Sequence, residues 1–253
     1  MKSTRWPVPL LPLNRTEAHL WYVFPEALTD PGLLSVYRQL MCPEERSQQQ
    51  RFHFAKGRHE YLVTRALVRT TLSRYVATDP ETWRFEKNSY GKPRIAYPKG
   101  ILPLSFNVSN TDRLIVCLVA LDREVGVDVE DIERAGETVE VADRFFSPFE
   151  VAALRALPVQ SQRRRFFEYW TLKEAYIKAR GMGLSLPLEQ FSFHLAAGCP
   201  VRISFDPRLE DYPQSWQFAQ FRPTPRHLVA AAIRRGADPD LHIQLKQTVP
   251  LVF

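Results

Sequence analysis

FFEYWTLKEAYIKARGMGLSLPL, residues 166–188, reads as a buried helix with a clean end. Phe166, Trp170 and Ile177 fall on one helical stripe and Leu172, Tyr176 and Ala179 on another, so apolar side chains occupy several sides, as on a core helix. Gly181 and Gly183 suit a left-handed cap, and Pro187 blocks continuation. A third stripe carries Glu174 and Lys178, one turn apart, with Phe167 and Thr171. A carboxylate on such a helix is costly unless a cation, a metal or hydrogen bonds compensate it. Two readings follow: an internal Glu–Lys ion pair, or half of a site completed by carboxylates elsewhere.

The second set of carboxylates lies in EVGVDVE, residues 124–130. Residues two apart on a strand share a face, so Gly126, Asp128 and Glu130 point one way while Val127 and Val129 point into the core. Two carboxylates side by side on a half-buried strand repel unless something positive lies between them. Magnesium suits such a pair because it takes hard oxygen ligands and shares its shell with phosphates. Gly126 would leave room for a close ligand approach. The alternative is an ordinary acidic edge strand.

The rest of the chain places these stretches. Residues 1–18 read as a loosely structured, Pro-containing lead-in, and 19–24 as a first strand. Residues 43–54 read as a helix, with Pro43 at its first position and Glu44 and Glu45 in its first turn. A second helix, 58–75, buries Val63, Ala66, Leu67 and Thr70 and presents Arg58, Arg65 and Arg69 on a neighbouring stripe with Leu62. That row is a solvated or acid-paired face, or an anion pocket. Strands follow at 83–86 and 94–96 around the turn NSYGKP, where Gly91 permits tight backbone geometry and Lys92 projects. SFNVSNT, 105–111, ends an alternating strand in Asn107, Ser109 and Asn110, and 114–121 reads as a central buried strand. Residues 139–146 and 148–157 read as short helices, the second opening at Ser147-Pro148 with Glu150 in its first turn. Short antiparallel strands are expected at 191–195, 201–205, 216–221, 228–233 and 241–245. The pattern is α+β in two lobes, 1–121 and 122–253, each with helices packed on a small antiparallel sheet. No sequence repeat is obvious.

Composition narrows the function classes. At 253 residues, 45% hydrophobic and 25% charged, the chain suits one large domain or two of half the size. Three cysteines, Cys42, Cys117 and Cys199, are widely spaced and outside any CxxC pattern, which argues against a disulfide framework or zinc site and fits a reducing cytoplasm. The first residues, MKSTRWPVPLLPL, are broken by prolines and lack the apolar core of a signal peptide, and the longest apolar run, 114–121, is too short to span a membrane. A soluble cytoplasmic protein is expected. Net charge +6 suggests an anionic ligand or acidic partner, and with no zinc finger, RNP-like motif or basic arm it does not call for nucleic acid.

Taken together, GVDVE, FFSPFE and WTLKEAYIKARGMGLSLPL, in that order, with the GKP turn and NVSN upstream, resemble the 4′-phosphopantetheinyl transferases of the Sfp type. The similarity runs from about residue 19 to 235 and is densest over 125–188. It implies a pseudo-dimer of two similar lobes, with coenzyme A and Mg2+ in the cleft between them: an N-terminal lobe, 1–121, giving coenzyme A contacts and a C-terminal lobe, 122–253, carrying the metal and catalytic residues. Asp128, Glu130 and Glu174 would hold the metal. The phosphopantetheine arm would pass from coenzyme A to a serine of an acyl or peptidyl carrier protein, with release of adenosine 3′,5′-bisphosphate. Glu174 is the implied base, directly or through a water, and Lys178 would reach a phosphate oxygen as well as pairing with Glu174. Lys173 is given a supporting role, to a phosphate or to Glu150. Gly91, Lys92, Pro93, Ser109 and Asn110 match positions lining the coenzyme A site, and Arg51 and Arg58 are the expected contacts to its 3′-phosphate. Where the family commonly has Ser-His, this chain has Ser109-Asn110, so a cationic contact is lost and weaker coenzyme A binding is expected. Phe145, Phe146, Phe166 and Trp170 are read as core. The carrier is expected to be acidic, from fatty-acid, polyketide or nonribosomal-peptide systems, and the enzyme monomeric. The competing readings are a Mg2+-dependent phosphodiesterase or pyrophosphatase and a non-catalytic coenzyme A or nucleotide binder.

Overall fold

A computed structural model describes residues 9–136 and 138–252, apart from the Leu184 side chain; the first eight residues of the expected lead-in lie outside the described residues. The described chain divides into two compact units, one of residues up to Asn88, Pro93–Asp122 and those from His242 on, the other of Ser89–Lys92 and Arg123–Leu241.

In the first unit, strand β1 (Glu17–Val23) leads through helices α1 (Pro31–Leu40), α2 (Pro43–Gln50) and α3 (Ala55–Leu72) to strands β2 (Arg84–Lys87), β3 (Pro93–Tyr97), β4 (Leu104–Thr111) and β5 (Leu114–Leu121). In the second, strand β6 (Val125–Asp131) leads through α4 (Ala142–Phe145), α5 (Pro148–Arg155) and α6 (Val159–Arg180) to β7 (Phe191–His194), β8 (Arg202–Phe205), β9 (Trp216–Thr224) and β10 (His227–Arg234). The order is the same: one strand, three helices, four strands. So is the pairing. β1 is antiparallel to β5 and β5 to β4, as β6 is to β10 and β10 to β9, while β2–β3 and β7–β8 form separate hairpins.

The repetition reaches individual side chains. α2 opens at Cys42-Pro43, with Glu45 accepting from Cys42 N at 3.2 Å; α5 opens at Ser147-Pro148, with Glu150 accepting from Ser147 N at 2.9 Å. Glu45 then pairs with Arg69 of α3 at 2.7 Å, and Glu150 with Lys173 of α6 at 2.8 Å. Arg69 donates further to the carbonyls of Pro80 and Trp83, Lys173 to those of Leu188 and Phe191, in each case where the next strand begins. Both cations are buried, each bonded to a carboxylate and two carbonyls and lying over an aromatic ring, Phe85 for Arg69 and Phe191 for Lys173, which is how a core tolerates a charge. The likeness escapes the sequence because Arg and Lys, or Cys and Ser, fill equivalent places.

Each unit has its own core. α3 lays Leu62, Val63, Ala66 and Leu67 with Trp21, Phe106, Cys117 and Val119 of the first sheet. α6 lays Phe166, Leu172, Tyr176 and Ala179 with Leu228, Ala230, Ala232 and Trp216 of the second. α6 starts at Val159, a turn or two earlier than its apolar stripe suggested, and ends where Gly181 takes φ 63° and donates to Ile177 O. α1, capped by Asp30 accepting from Leu33 N at 2.6 Å, was not anticipated; its Asp-Pro start was the available signal.

Two expectations change. The last strand, β11 (His242–Gln247), pairs in parallel with β1, so residues 242–252 join the first unit instead of the C-terminal lobe, and the first sheet is mixed in the order β11-β1-β5-β4. The row Arg58, Arg65, Arg69 does not act as one face: Arg69 is buried on Glu45 and Arg65 lies 3.7 Å from the same carboxylate, the acid-paired alternative, while Arg58 stands apart from them and donates to the carbonyls of Phe52 and His53.

Candidate functional site

The acidic residues of the second unit meet where β6 runs against α6. The approach is set by Gly126: a Cβ there would stand 2.0 Å from Ala175 O and 2.4 Å from Ala179 N. The room at Gly126 is thus taken by the helix backbone, not by a ligand. Beyond this contact, Asp128 and Glu130 lie on the strand face turned to the helix stripe of Thr171, Glu174 and Lys178.

Lys178 Nζ donates to Asp128 Oδ1 at 2.6 Å. The expected Glu174–Lys178 pairing is therefore replaced by a strand-to-helix ion pair. Glu174 is pushed above its ordinary value by burial and then by Asp128, with Lys178 opposing. Glu130 is pushed up to about 7 by burial and by Asp128, against Arg134 and Trp170. Its oxygens accept from Arg134 Nε at 3.0 Å and Trp170 Nε1 at 3.1 Å. Neither partnership follows from spacing: Arg134 lies past the strand end, where no periodicity points back, and Trp170, which packs against the core as its stripe predicts, also turns its indole N–H to Glu130. Among the described residues no three acidic, histidine or cysteine side chains are gathered closely enough to hold a metal as they stand. Lys178 and Arg134 are the internal cations that hold Asp128 and Glu130.

The first unit has different residues at the corresponding places. Counting from the buried cations, Lys178 stands five residues past Lys173 as Arg74 does past Arg69. Arg74 lies over the Trp21 ring at 5.5 Å, where Lys178 holds Asp128. Glu174 is matched by Thr70, buried and bonded back to Ala66 O at 2.8 Å. Of the two units, the second carries the acids at these places.

The remaining candidates are placed as follows. Lys92 turns inward and donates to Val125 O at 3.0 Å and Ala179 O at 2.6 Å, tying the start of β6 to the last turn of α6; burial lowers it to about 8. Gly91 takes φ 90°, a turn conformation that favours glycine. Lys173 is wholly buried on Glu150, so the phosphate option for it fails. In the first unit, Pro93 begins β3, Ser109 is buried and Asn110 exposed at the end of β4. Arg51 is exposed and lines a cavity of about 540 Å³ with Phe52, Phe54, Lys56 and Glu60; Arg58 does not line it but donates to the carbonyls of Phe52 and His53, which do. Phe146 and Phe166 are buried, while Phe145 and Trp170 are half-buried against them.

Comparison with known proteins shows the family. Residues 124–233 match the 4′-phosphopantetheinyl transferase superfamily, and residues 31–121 match the N-terminal family of 4′-phosphopantetheinyl transferase. The chain is 30% identical over 226 residues to 4′-phosphopantetheinyl transferase HetI of Nostoc sp., covering 89% of this chain and 91% of that one. It is 35% identical over 168 residues to 4′-phosphopantetheinyl transferase Sfp of Bacillus subtilis, covering 66% and 72%. The chain belongs to the 4′-phosphopantetheinyl transferase superfamily. It is a phosphopantetheinyl transferase of the Sfp type and acts on a carrier protein.

Proposed function

We propose that the enzyme moves 4′-phosphopantetheine from coenzyme A to a serine hydroxyl of an acidic acyl or peptidyl carrier protein, with Mg2+ as cofactor and adenosine 3′,5′-bisphosphate as the second product. The observation that carries this reading is that Glu174 on α6 is near enough to Asp128 on β6 to be pushed upward by it, as Glu130 is, although the three oxygens converge on one cation only if Lys178 and Arg134 yield their bonds. A hard divalent cation fits that donor set, since oxygen donors that repel each other are the ones it relieves. Asp128, Glu130 and Glu174 would hold it, and when bound it would neutralise the pyrophosphate oxygens of coenzyme A.

The chain's own residues do the rest. The serine oxygen attacks the phosphorus that bears the pantetheine arm, the bond from that phosphorus to the bridging pyrophosphate oxygen breaks, and the nucleotide half departs with the electron pair. Glu174 takes the serine proton, directly or through one water. Lys178, held by Asp128, supplies positive charge to a phosphate oxygen. Lys92 positions this cluster by joining β6 to α6, leaving the backbone of Gly91 and Pro93 to line the coenzyme A site. In the first unit, Ser109 and Asn110 are the proposed coenzyme A contacts, with Arg51 and Arg58 for the 3′-phosphate. The two units are read as copies of one duplicated unit in a pseudo-dimer, the enzyme as a monomer. Net charge +6 favours encounter with an acidic carrier. Three free cysteines suit a reducing cytoplasm, and among the described residues no helix is long and apolar enough to cross a membrane.

The test is intact-mass spectrometry of apo carrier proteins incubated with the enzyme and coenzyme A, with and without Mg2+. A gain of one phosphopantetheine group only with Mg2+ is expected. A gain undiminished by a chelator would remove the metal from the reading.

A further inference from the structure

Glu130 is held on both carboxylate oxygens by its own chain. Oε2 accepts from Arg134 Nε at 3.0 Å and Oε1 from Trp170 Nε1 at 3.1 Å, with the Glu130 side chain 17% exposed. Arg134 is itself held in place. Its guanidinium lies over the Phe167 ring at 5.2 Å, and Arg163 of α6 donates to Ile132 O at 2.9 Å, to Arg134 O and to Thr138 Oγ1. The segment after β6 is thus anchored to α6 from both sides, and the guanidinium is presented to Glu130 as a fixed cation.

We propose that Arg134 and Trp170 form a latch on Glu130 that competes with the divalent cation for this carboxylate and so sets the metal affinity of the enzyme. This rests on the metal reading given above. A carboxylate oxygen that already accepts from a guanidinium can enter a metal shell only by giving up that bond or sharing it, and two positive charges cannot both lie close to one carboxylate without repulsion. Glu130 is therefore available to the metal only in the fraction of molecules in which the latch is open, and apparent affinity falls by that fraction. Asp128 differs: its partner Lys178 extends from the same helix stripe as Glu174 and can move to a phosphate, whereas Arg134 is tied by its backbone.

The experiment is direct titration of the metal-free protein with Mn2+, read by electron paramagnetic resonance of the free ion, without coenzyme A or carrier. Arg134→Gln should bind Mn2+ about three- to tenfold more tightly than the native chain, the effect of removing one partly buried ion-pair partner. Arg134→Lys, which keeps the charge, should stay within about twofold. Equal or weaker binding by Arg134→Gln, with native thermal melting, overturns the proposal. Should that variant not fold, Trp170→Phe removes the other donor and should tighten binding about twofold; unchanged binding there overturns it equally. Absence of Mn2+ binding by native protein and by Asp128→Asn alike has a different meaning: the metal reading itself falls, and the latch with it.

Discussion

Lys173 in the second unit and Arg69 in the first occupy the same structural place: each is buried, each pairs with the glutamate that caps the preceding helix, and each donates to two carbonyls where the next strand begins. One helix, one capped neighbour and one hairpin are locked together by a single cation in each unit. The second unit carries Glu174 directly after this cation and Asp128 on its first strand; the first has Thr70 and Trp21 in those places.

Breaking this lock should unfold the unit that holds it. Lys173→Met leaves Glu150 charged, buried and without its cation, and should cost about 3–5 kcal/mol. Urea denaturation measures it; a loss below about 1 kcal/mol would show that Glu150 is sustained by its backbone donors, Ser147 N and Phe193 N.

Gly126→Ala should act through the backbone. A Cβ 2.0 Å from Ala175 O has no flexible neighbour to displace, so β6 and α6 must separate. Destabilisation of about 2–3 kcal/mol is expected, with loss of transfer activity beyond what melting explains. Full activity would mean that the acids tolerate a wider gap.

Glu174→Gln removes the base while keeping shape. Transfer should fall by a factor of about 10²–10³ with little change in melting temperature. A single-turnover mass assay on an apo carrier checks it, and retention of more than a tenth of the native rate would move the base elsewhere.

Stability should fall with rising pH in the metal-free protein. Burial, and then Asp128, push Glu130 from its ordinary value of 4.5 up to about 7 in the folded chain. Between these values the folded state binds more protons than the unfolded one, so stability is lost as pH rises, and the loss is complete above the folded value. Glu130→Gln should abolish a decline of about 1–3 kcal/mol across that interval. Denaturant titrations of both proteins at pH 5 and pH 8 provide the comparison; parallel curves would return Glu130 to an ordinary carboxylate.

Asn110 can donate a hydrogen bond but carries no charge. Asn110→His should lower the KM for coenzyme A several-fold, more at pH 6 than at pH 8, because only the imidazolium adds a charge to the contact. A KM unchanged at both values would take position 110 out of the coenzyme A site.

Much of this was legible in the chain as written. Period-two and period-3.6 patterns located β5, β6 and α6, the Ser147-Pro148-Glu150 start announced α5, and Gly181 marked the end of α6, because local sterics and alternation act within a few residues. The acids at 128, 130 and 174 stood out for the same reason. Tertiary structure alone decided the rest: that Gly126 makes room for a helix, that Arg69 is paired inside, that Lys92 turns inward to two carbonyls, that residues 242–247 return to β1, and that Arg134 holds Glu130. Each joins segments that no periodicity relates, and the energy of a buried charge or a close backbone approach depends on what the fold sets beside it.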